Sequence, residues 1–499
     1  MLRKIRIILA TLCYIAITLL FLGVSWRINL WLGWVAKIQF LPALMALNFG
    51  VLAGLIILTL LFGRLYCSII CPLGVMQDIL SWFGRKAKKN RYSYSPEKKW
   101  LRYSVLAVFI LCLIVGFAPV TTLLAPYSAY GRIVNSLFRP LYDLLINGLA
   151  AIESNFDSYL FSEAEIWMRS VTTFIVALLT LGILGVLAWR HGRTYCNTVC
   201  PVGTILSFFA RFSLFRIQIN EDKCRKCSLC TKNCKASAID FKNGIVDLTR
   251  CVACGDCIDK CHDGAIGYRP LALKDRCAQR QKTADAQRPV DTSKRAFLTG
   301  AAVAVGTAAM AQAKIKVDGG LAEIEDKKAP HRETPVTPPG SVSARNMQRH
   351  CTACQLCVSA CPNNVLRPSS DPLRFMQPEM SFERGYCRPE CTHCSQVCPT
   401  GAIEAIRQED KPFIHIGHAV WIEQNCIPVT NGDHCGACAK HCPEDAIQMV
   451  EHTTADGRTV LVPAIDNERC IGCGKCEHLC PVRPFIAIYV EGNSTHQIH

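Results

Sequence analysis

Cysteines recur along this chain at intervals that suit one kind of inorganic chemistry. Twenty-four of the 31 cysteines fall into six runs of four: Cys224, Cys227, Cys230 and Cys234; Cys251, Cys254, Cys257 and Cys261; Cys351, Cys354, Cys357 and Cys361; Cys387, Cys391, Cys394 and Cys398; Cys426, Cys435, Cys438 and Cys442; Cys470, Cys473, Cys476 and Cys480. Four runs have the spacing C-x2-C-x2-C-x3-C, and the other two lengthen only the first gap. Three closely spaced thiolates followed by a fourth can wrap a [4Fe-4S] cube, and the fourth sulfur commonly serves a neighbouring cube. The alternatives fit less well. Structural zinc prefers paired C-x2-C hooks set far apart. A disulfide framework belongs to short secreted domains, whereas this chain has 499 residues. The expectation is six [4Fe-4S] clusters and, with them, electron transfer.

Four further cysteines form a different pattern. Arg64, Tyr66, Cys67, Cys71, Pro72 and Gly74 are matched position for position by Arg193, Tyr195, Cys196, Cys200, Pro201 and Gly203, an Arg-x-Tyr-Cys-x3-Cys-Pro-x-Gly repeat. A Cys-x3-Cys spacing on one helical turn turns both sulfurs to one face, and the proline suits the first turn of a following helix. Cys67, Cys71, Cys196 and Cys200 could together hold a metal or an iron-sulfur cluster, act as redox-active dithiols, or simply pack at tight turns. Covalent haem is not expected, because no Cys-x2-Cys-His occurs and no histidine lies inside an apolar span.

The elements that must carry these residues follow from composition. Half the residues are hydrophobic, and four apolar stretches, residues 5–24, 41–62, 101–117 and 171–189, approach the roughly 20 residues that cross a bilayer. The first has no small-residue cleavage site behind it and reads as a retained helix rather than a signal peptide. The net charge of +16 is not spread like a nucleic-acid footprint. Much of it flanks the spans, at Arg3, Lys4 and Arg6, at Arg85, Lys86, Lys88, Lys89 and Arg91, and at Arg190 and Arg193. Those flanks belong on the cytoplasmic side. Residues 119–169 then form an outside loop carrying Tyr127, Tyr130 and a helical stretch over 137–152.

The expected organisation is an α-helical membrane domain over 1–214, joined to α+β ferredoxin-like [4Fe-4S] modules. A two-cluster module occupies 215–270, with short strand-like pieces over 238–241, 244–247 and 265–268. Residues 271–344 are a junction. Seven basic residues from Lys274 to Arg295 lead into an alanine-rich run over 296–313, with small-residue cleavage candidates at Ala309, Ala311 and Ala313. A proline-rich linker over 330–340 follows. Cys277 belongs to no run and is expected to be an ordinary thiol. A four-cluster module fills 345–492, each run followed by proline (Pro362, Pro399, Pro443, Pro481), and 493–499 is a tail.

The two-cluster segment resembles a compact bacterial ferredoxin. That resemblance implies a crossed ligation, with Cys224, Cys227, Cys230 and Cys261 on one cube and Cys251, Cys254, Cys257 and Cys234 on the other. Lys235 and His262 replace the usual proline after the fourth cysteine, a gain of positive charge expected to raise the cluster potential. The spans, the paired Cys-x3-Cys-Pro sites and this module together resemble the NapH membrane ferredoxins and the membrane cores of the NosR and CcoG groups. The Ser293, Lys294, Arg295 and Phe297 segment resembles a twin-arginine export signal; an alanine-rich helix or linker is the plainer reading. The four-cluster module resembles the NapG/MauM ferredoxins. From multi-cluster subunits of this kind comes the expectation of a nested module, the first run paired with the fourth and the second with the third; simple sequential pairing is the rival.

This NapH–NapG-like layout implies an inner (cytoplasmic) membrane polyferredoxin of bacterial type. It would take electrons from the membrane quinol pool, pass them through the clusters and deliver them to a separate reductase or redox protein, without nucleic acid as a partner. The first module would face the cytoplasm and the four-cluster module the periplasm. A redox-sensing or metal-reducing maturation protein of the NosR/CcoG kind is the alternative, and a mere anchor the third reading. No catalytic residue, flavin site or nucleotide loop is expected.

Overall fold

The computed structural model describes residues 2–87, 92–153, 167–270, 325, 327–454 and 457–498. The basic stretch, the export-like segment, its cleavage candidates and Cys277 lie outside the described residues.

Helices build the amino-terminal unit. Leu2–Leu22 and Val171–His191, each of 21 residues, are the two described helices long and apolar enough to cross a membrane. The other two expected spans are shorter. The stretch over 41–62 divides into Phe40–Met45 and Phe49–Phe62. Leu47 takes the left-handed conformation there (φ 50°), and the Asn48 side chain caps the second helix by accepting from the Val51 amide at 3.2 Å. The stretch over 101–117 becomes Lys99–Val115, 17 residues. Side chains such as Ile8, Leu12, Ile15, Ile175, Ile183 and Val186 stay exposed on the two long helices, an apolar band that soluble proteins rarely leave open.

The expected outside loop is instead largely helical. Ala118–Leu124, Pro126–Ile133, a π-helical turn Val134–Phe138 and Arg139–Glu153 follow one another. Tyr127 and Tyr130 are buried rather than surface-exposed. Tyr130 shares a hydrogen bond with Thr18 at 2.7 Å, which pins the segment against the first long helix.

Both long helices run between the two cluster modules. At the start of the first, Arg3 pairs with Asp256 and with Asp259, each at 2.9 Å, and Arg6 with Asp78 at 2.8 Å. Cations at a helix N-terminus oppose its dipole, so these carboxylates supply the compensation. Asp78 also receives Arg193 at 2.7 Å and Lys235 at 2.8 Å, and Lys235 reaches Asp256 at 3.3 Å. At the far end of the first helix, Gly23 packs on the Ser359 carbonyl. Arg139 donates to that same oxygen at 2.9 Å, and the Trp26 ring stacks on His393 at 3.7 Å. Just before the second long helix, Arg169 donates to Asn364 at 3.3 Å, and at its end the Arg193 amide donates to Lys235 O at 2.8 Å. A rise of about 1.5 Å per residue makes each helix roughly 30 Å long, the thickness of a bilayer's hydrocarbon core.

The modules themselves are loops tied by two-stranded ribbons. Phe215–Ile219 pairs antiparallel with Ile266–Pro270, and Ile239–Asp240 with Ile245–Val246. In the larger module Leu366–Pro368 pairs with Pro378–Met380, Ile447–Thr453 with Thr459–Ile465, and Ile414–Trp421 with Ile488–Ile498. Two expectations need correction. The expected tail is the end of a strand, with Gln497 opposite His415 and Ile498 opposite Ile414. The proline-rich segment is part of the module's body. Val336 is fully buried and its carbonyl accepts from Met380 N at 2.9 Å, while Arg332 pairs with Glu477 at 2.6 Å.

The Asp78 cluster should therefore govern how firmly the first module is held. Burial would raise the Asp78 pKa, but Arg193, Lys235 and Arg6 outweigh it and hold the carboxylate well below its ordinary range; Lys235 does the same for Asp256. With depressed folded-state values, their contribution is complete at neutral pH and is lost only as pH falls below about 4. Asp78→Asn should cost roughly 3 kcal/mol, read as a lower thermal midpoint and faster proteolysis within 215–270. An unchanged midpoint would remove Asp78 from the docking role.

Candidate metal centres

Each position of the Arg-x-Tyr-Cys-x3-Cys-Pro-x-Gly repeat has a structural task. Cys71 and Cys200 are the N-caps of helices Pro72–Lys86 and Pro201–Ala210, with Pro72 and Pro201 in the first turn, where a missing N–H costs nothing. Gly74 packs on the Cys67 carbonyl and Gly203 on the Cys196 carbonyl so closely that a Cβ would overlap them. The two arginines are exchanged. Arg64 donates to Cys196 O at 3.1 Å, and Arg193 donates to Cys67 O. Tyr66 donates to Gln39 Oε1 at 3.0 Å and Tyr195 to Leu124 O at 3.1 Å. The repeat thus folds as two interlocked halves.

All four cysteines of these halves are buried and free of disulfides. They lie within electrostatic range of one another, Cys200 with Cys196, Cys71 and Cys67. Arg64 Nη2 stands 3.8 Å from Cys67 Sγ. Arg193 Nη2, Arg64 Nε and Gln77 Nε2 are buried without a hydrogen-bond partner, although Cys196 Sγ lies 3.5 Å from Gln77 Oε1. Buried donors are seldom left orphaned. Converging thiols beside unpaired cationic N–H groups fit an anionic, sulfur-rich occupant that accepts those bonds.

In the first module the expected crossing is supported at one cube. Cys234 lies beside Cys251, Cys254 and Cys257, and Cys230 beside Cys224 and Cys227. The loops show why the spacing works. The second and fourth residues after the leading cysteine take left-handed backbone, at Lys226 and Ser228, Ala253 and Gly255, Ala353 and Gln355, and Gly472 and Gly474. This alternation curls the loop around a common centre, at a strain of about 1–3 kcal/mol per non-glycine residue. The signal was present as small residues at six of these eight places. The quartet with Cys251 lies nearest the paired repeat, because Thr249 O accepts from Arg64 at 2.9 Å and from Arg102 at 3.3 Å. Cys227 is exposed at the outer side. Lys235, expected as a free charge near the cluster, is bound between Asp78 and Asp256 and acts as an anchor.

The larger module pairs its runs sequentially, not nested. One pocket brings Cys361 together with Cys387, Cys391 and Cys394. Another brings Cys442 together with Cys470, Cys473 and Cys476. Reciprocally, Cys398 neighbours Cys351, Cys354 and Cys357, and Cys480 neighbours Cys426. Short local loops and ribbons bring each run to its sequence neighbour, which carry-over from nested subunits could not reveal. The two halves join where Cys387 N donates to Cys473 O at 2.9 Å. The quartets therefore follow one another in space by their leading cysteines as Cys351, Cys387, Cys470 and Cys426, an order different from that of the chain. Lys411, not anticipated, is buried and donates to Cys387 Sγ at 3.3 Å, a charge-assisted bond to a cysteine of the second run.

Among the described residues no three His, Cys, Asp or Glu side chains converge closely enough for a single metal ion.

Comparison with known proteins agrees on this chemistry. A 4Fe-4S binding domain family matches residues 44–91 and 172–220, the two halves of the paired repeat. A 4Fe-4S dicluster domain family matches residues 350–402, which hold two complete runs, and 433–483, which hold Cys435, Cys438 and Cys442 with the run from Cys470 to Cys480. The methylamine utilization ferredoxin-type protein MauM of Paracoccus denitrificans is 31% identical over 199 residues, 38% of this chain and 83% of that protein. MauM of Methylobacillus flagellatus is 30% identical over 166 residues, 32% of this chain and 70% of the relative. The ferredoxin-type protein NapG of Escherichia coli is 29% identical over 184 residues, 33% of this chain and 77% of its own length. No solved structure matches the chain.

Sequential pairing makes a specific prediction. Cys398→Ser should perturb the cluster signal of Cys351, Cys354 and Cys357, and Cys361→Ser that of Cys387, Cys391 and Cys394, as read by low-temperature EPR of anaerobically purified protein. A Cys361→Ser effect confined to the Cys470 quartet would restore the nested arrangement.

Proposed function

The chain belongs to the ferredoxin-type proteins typified by MauM, and from that premise we propose that it is a membrane polyferredoxin carrying electrons from membrane quinol to a separate reductase. Six [4Fe-4S] clusters, one per quartet, would supply one-electron storage, and Cys67, Cys71, Cys196 and Cys200 would hold one further iron-sulfur site. The observation that carries this reading is the docking of the two modules at opposite ends of the two long apolar helices, with the buried cysteine repeat beside the first module. Quinol gives up two electrons and two protons; the electrons leave singly through the sulfur quartets and the protons go to water.

The protein's own residues perform the positioning. Asp78, Lys235 and Asp256 seat the first module against the helices. The exchanged arginines hold the paired repeat rigid and supply positive charge where electrons collect. Trp26, Arg139 and Arg169 seat the four-cluster module at the other end. The basic residues at Arg3, Arg6, Arg85 and Lys86 support a cytoplasmic placement of the first module, which leaves the four-cluster module on the outer face and the Cys426 quartet as its remote end. Similarity to MauM and NapG, both ferredoxin-type proteins, favours electron delivery over a maturation role.

Three measurements test this. Iron in anaerobically purified protein should reach about 24 atoms per chain from six cubes, with the excess, if any, assigned to the paired repeat; zinc in its place would sink the reading. Membranes containing the protein should oxidise a quinol analogue with a dye acceptor, and Cys67→Ser or Cys196→Ser should abolish that activity to a similar extent while sparing the six cluster signals. Protease added to spheroplasts should reach residues beyond 345. Protection of that region until the inner membrane is broken would place all clusters on one side.

A further inference from the structure

Four arginines of the helical unit are essentially inaccessible: Arg64, Arg102, Arg132 and Arg193. Three are compensated. Arg193 has Asp78, Arg102 has Glu97 at 2.6 Å, and Arg64 donates to Asn197 at 2.9 Å, to Thr249 O and to Cys196 O. Arg132 has one hydrogen bond, from Nη1 to Thr122 O at 2.8 Å. Among the described residues its Nε and Nη2 have no partner and no carboxylate pairs with it. A buried charge without a counter-charge is strongly unfavourable, so something negative belongs beside it.

Its position says what. Arg132 follows Gly131, whose Cα packs so closely on the Cys354 carbonyl that any side chain there would overlap it. The helix Pro126–Ile133 is thus laid directly on the cysteine loop that begins the four-cluster module. Arg132 is also within electrostatic range of Tyr195, the residue next to Cys196. Tyr127, one turn earlier, is buried with an unpartnered hydroxyl near both Tyr66 and Cys354. The guanidinium therefore sits between the paired Cys-x3-Cys repeat and the first quartet of the larger module. A cube bound by four thiolates is negatively charged in both of its ordinary states and more so when reduced.

We propose that Arg132 is the built-in counter-charge of the iron-sulfur site formed by Cys351, Cys354, Cys357 and Cys398, positioned so that this site accepts the electron entering the four-cluster module. One electron arriving from the paired repeat adds one negative charge to the quartet, and the fixed guanidinium stabilises that charge where no water can. Arg132 is a positioning residue. Removing it should make this one site harder to reduce.

The test is a redox titration of the anaerobically purified full-length protein, followed by EPR. Arg132→Gln, which can still donate to Thr122 O, should lower the midpoint of one cluster and leave the others in place; Arg132→Lys should return it most of the way. Full iron content with every midpoint unchanged in Arg132→Gln would overturn the proposal. Should that variant lose iron, Arg132→His decides, titrated well above the imidazole pKa of about 6.5. A midpoint below the wild type's supports the counter-charge, and a wild-type midpoint there overturns it. The inference rests on the electron-transfer reading, yet an equilibrium titration needs neither quinol nor reductase, so its failure is distinguishable from failure of the quinol assay.

Discussion

The exchange of Arg64 and Arg193 between the two halves of the cysteine repeat is the interaction on which the molecule turns. Each guanidinium is fully buried and each reaches the opposite half's cysteine carbonyl, so neither half is complete alone. The same two side chains extend the lock outward. Arg64 holds Thr249 of the first module, and Arg193 holds Asp78, which in turn holds Arg6 and Lys235. Fixing two charges in a low-dielectric interior is expensive, and the expense is tolerable because every contact also orders a sulfur ligand or a module.

Distance is the constraint that organises the rest. Single-electron steps need neighbouring carriers, and the chain brings them together by packing at three junctions. Thr249 beside Arg64 joins the first module to the repeat. Gly131 on the Cys354 carbonyl joins the helical unit to the larger module. The Cys387 amide on the Cys473 carbonyl joins that module's two halves. At each junction backbone approaches backbone or a buried arginine intervenes, which leaves little room for solvent and keeps the carriers in a fixed relation. The Cys426 quartet, reached last, lies farthest from the helices along this order.

Local spacing alone specified the three-cysteine loops, because three sulfurs on a tight loop are a matter of a few residues. The apolar stretches announced helices on the same grounds, and the matched Arg-x-Tyr-Cys-x3-Cys-Pro-x-Gly pair announced a repeat. Their limits were less visible, since Asn48 divides one apolar stretch by capping the start of its second helix, which hydropathy does not register. Lys235 illustrates a different limit. Its charge was evident, but its use as a docking anchor depended on Asp78, 157 positions away in the chain.

What the sequence by itself determined, then, is the chemistry: which thiols act in fours and which segments are apolar. Only the tertiary structure decided which fourth cysteine completes which quartet, in what spatial order the quartets stand, and that Arg132 stands beside Cys354 with no carboxylate partner among the described residues. The physical reason is that ligand spacing is a short-range property of covalent geometry, whereas pairing, order and charge compensation are set by contacts between residues far apart in the chain.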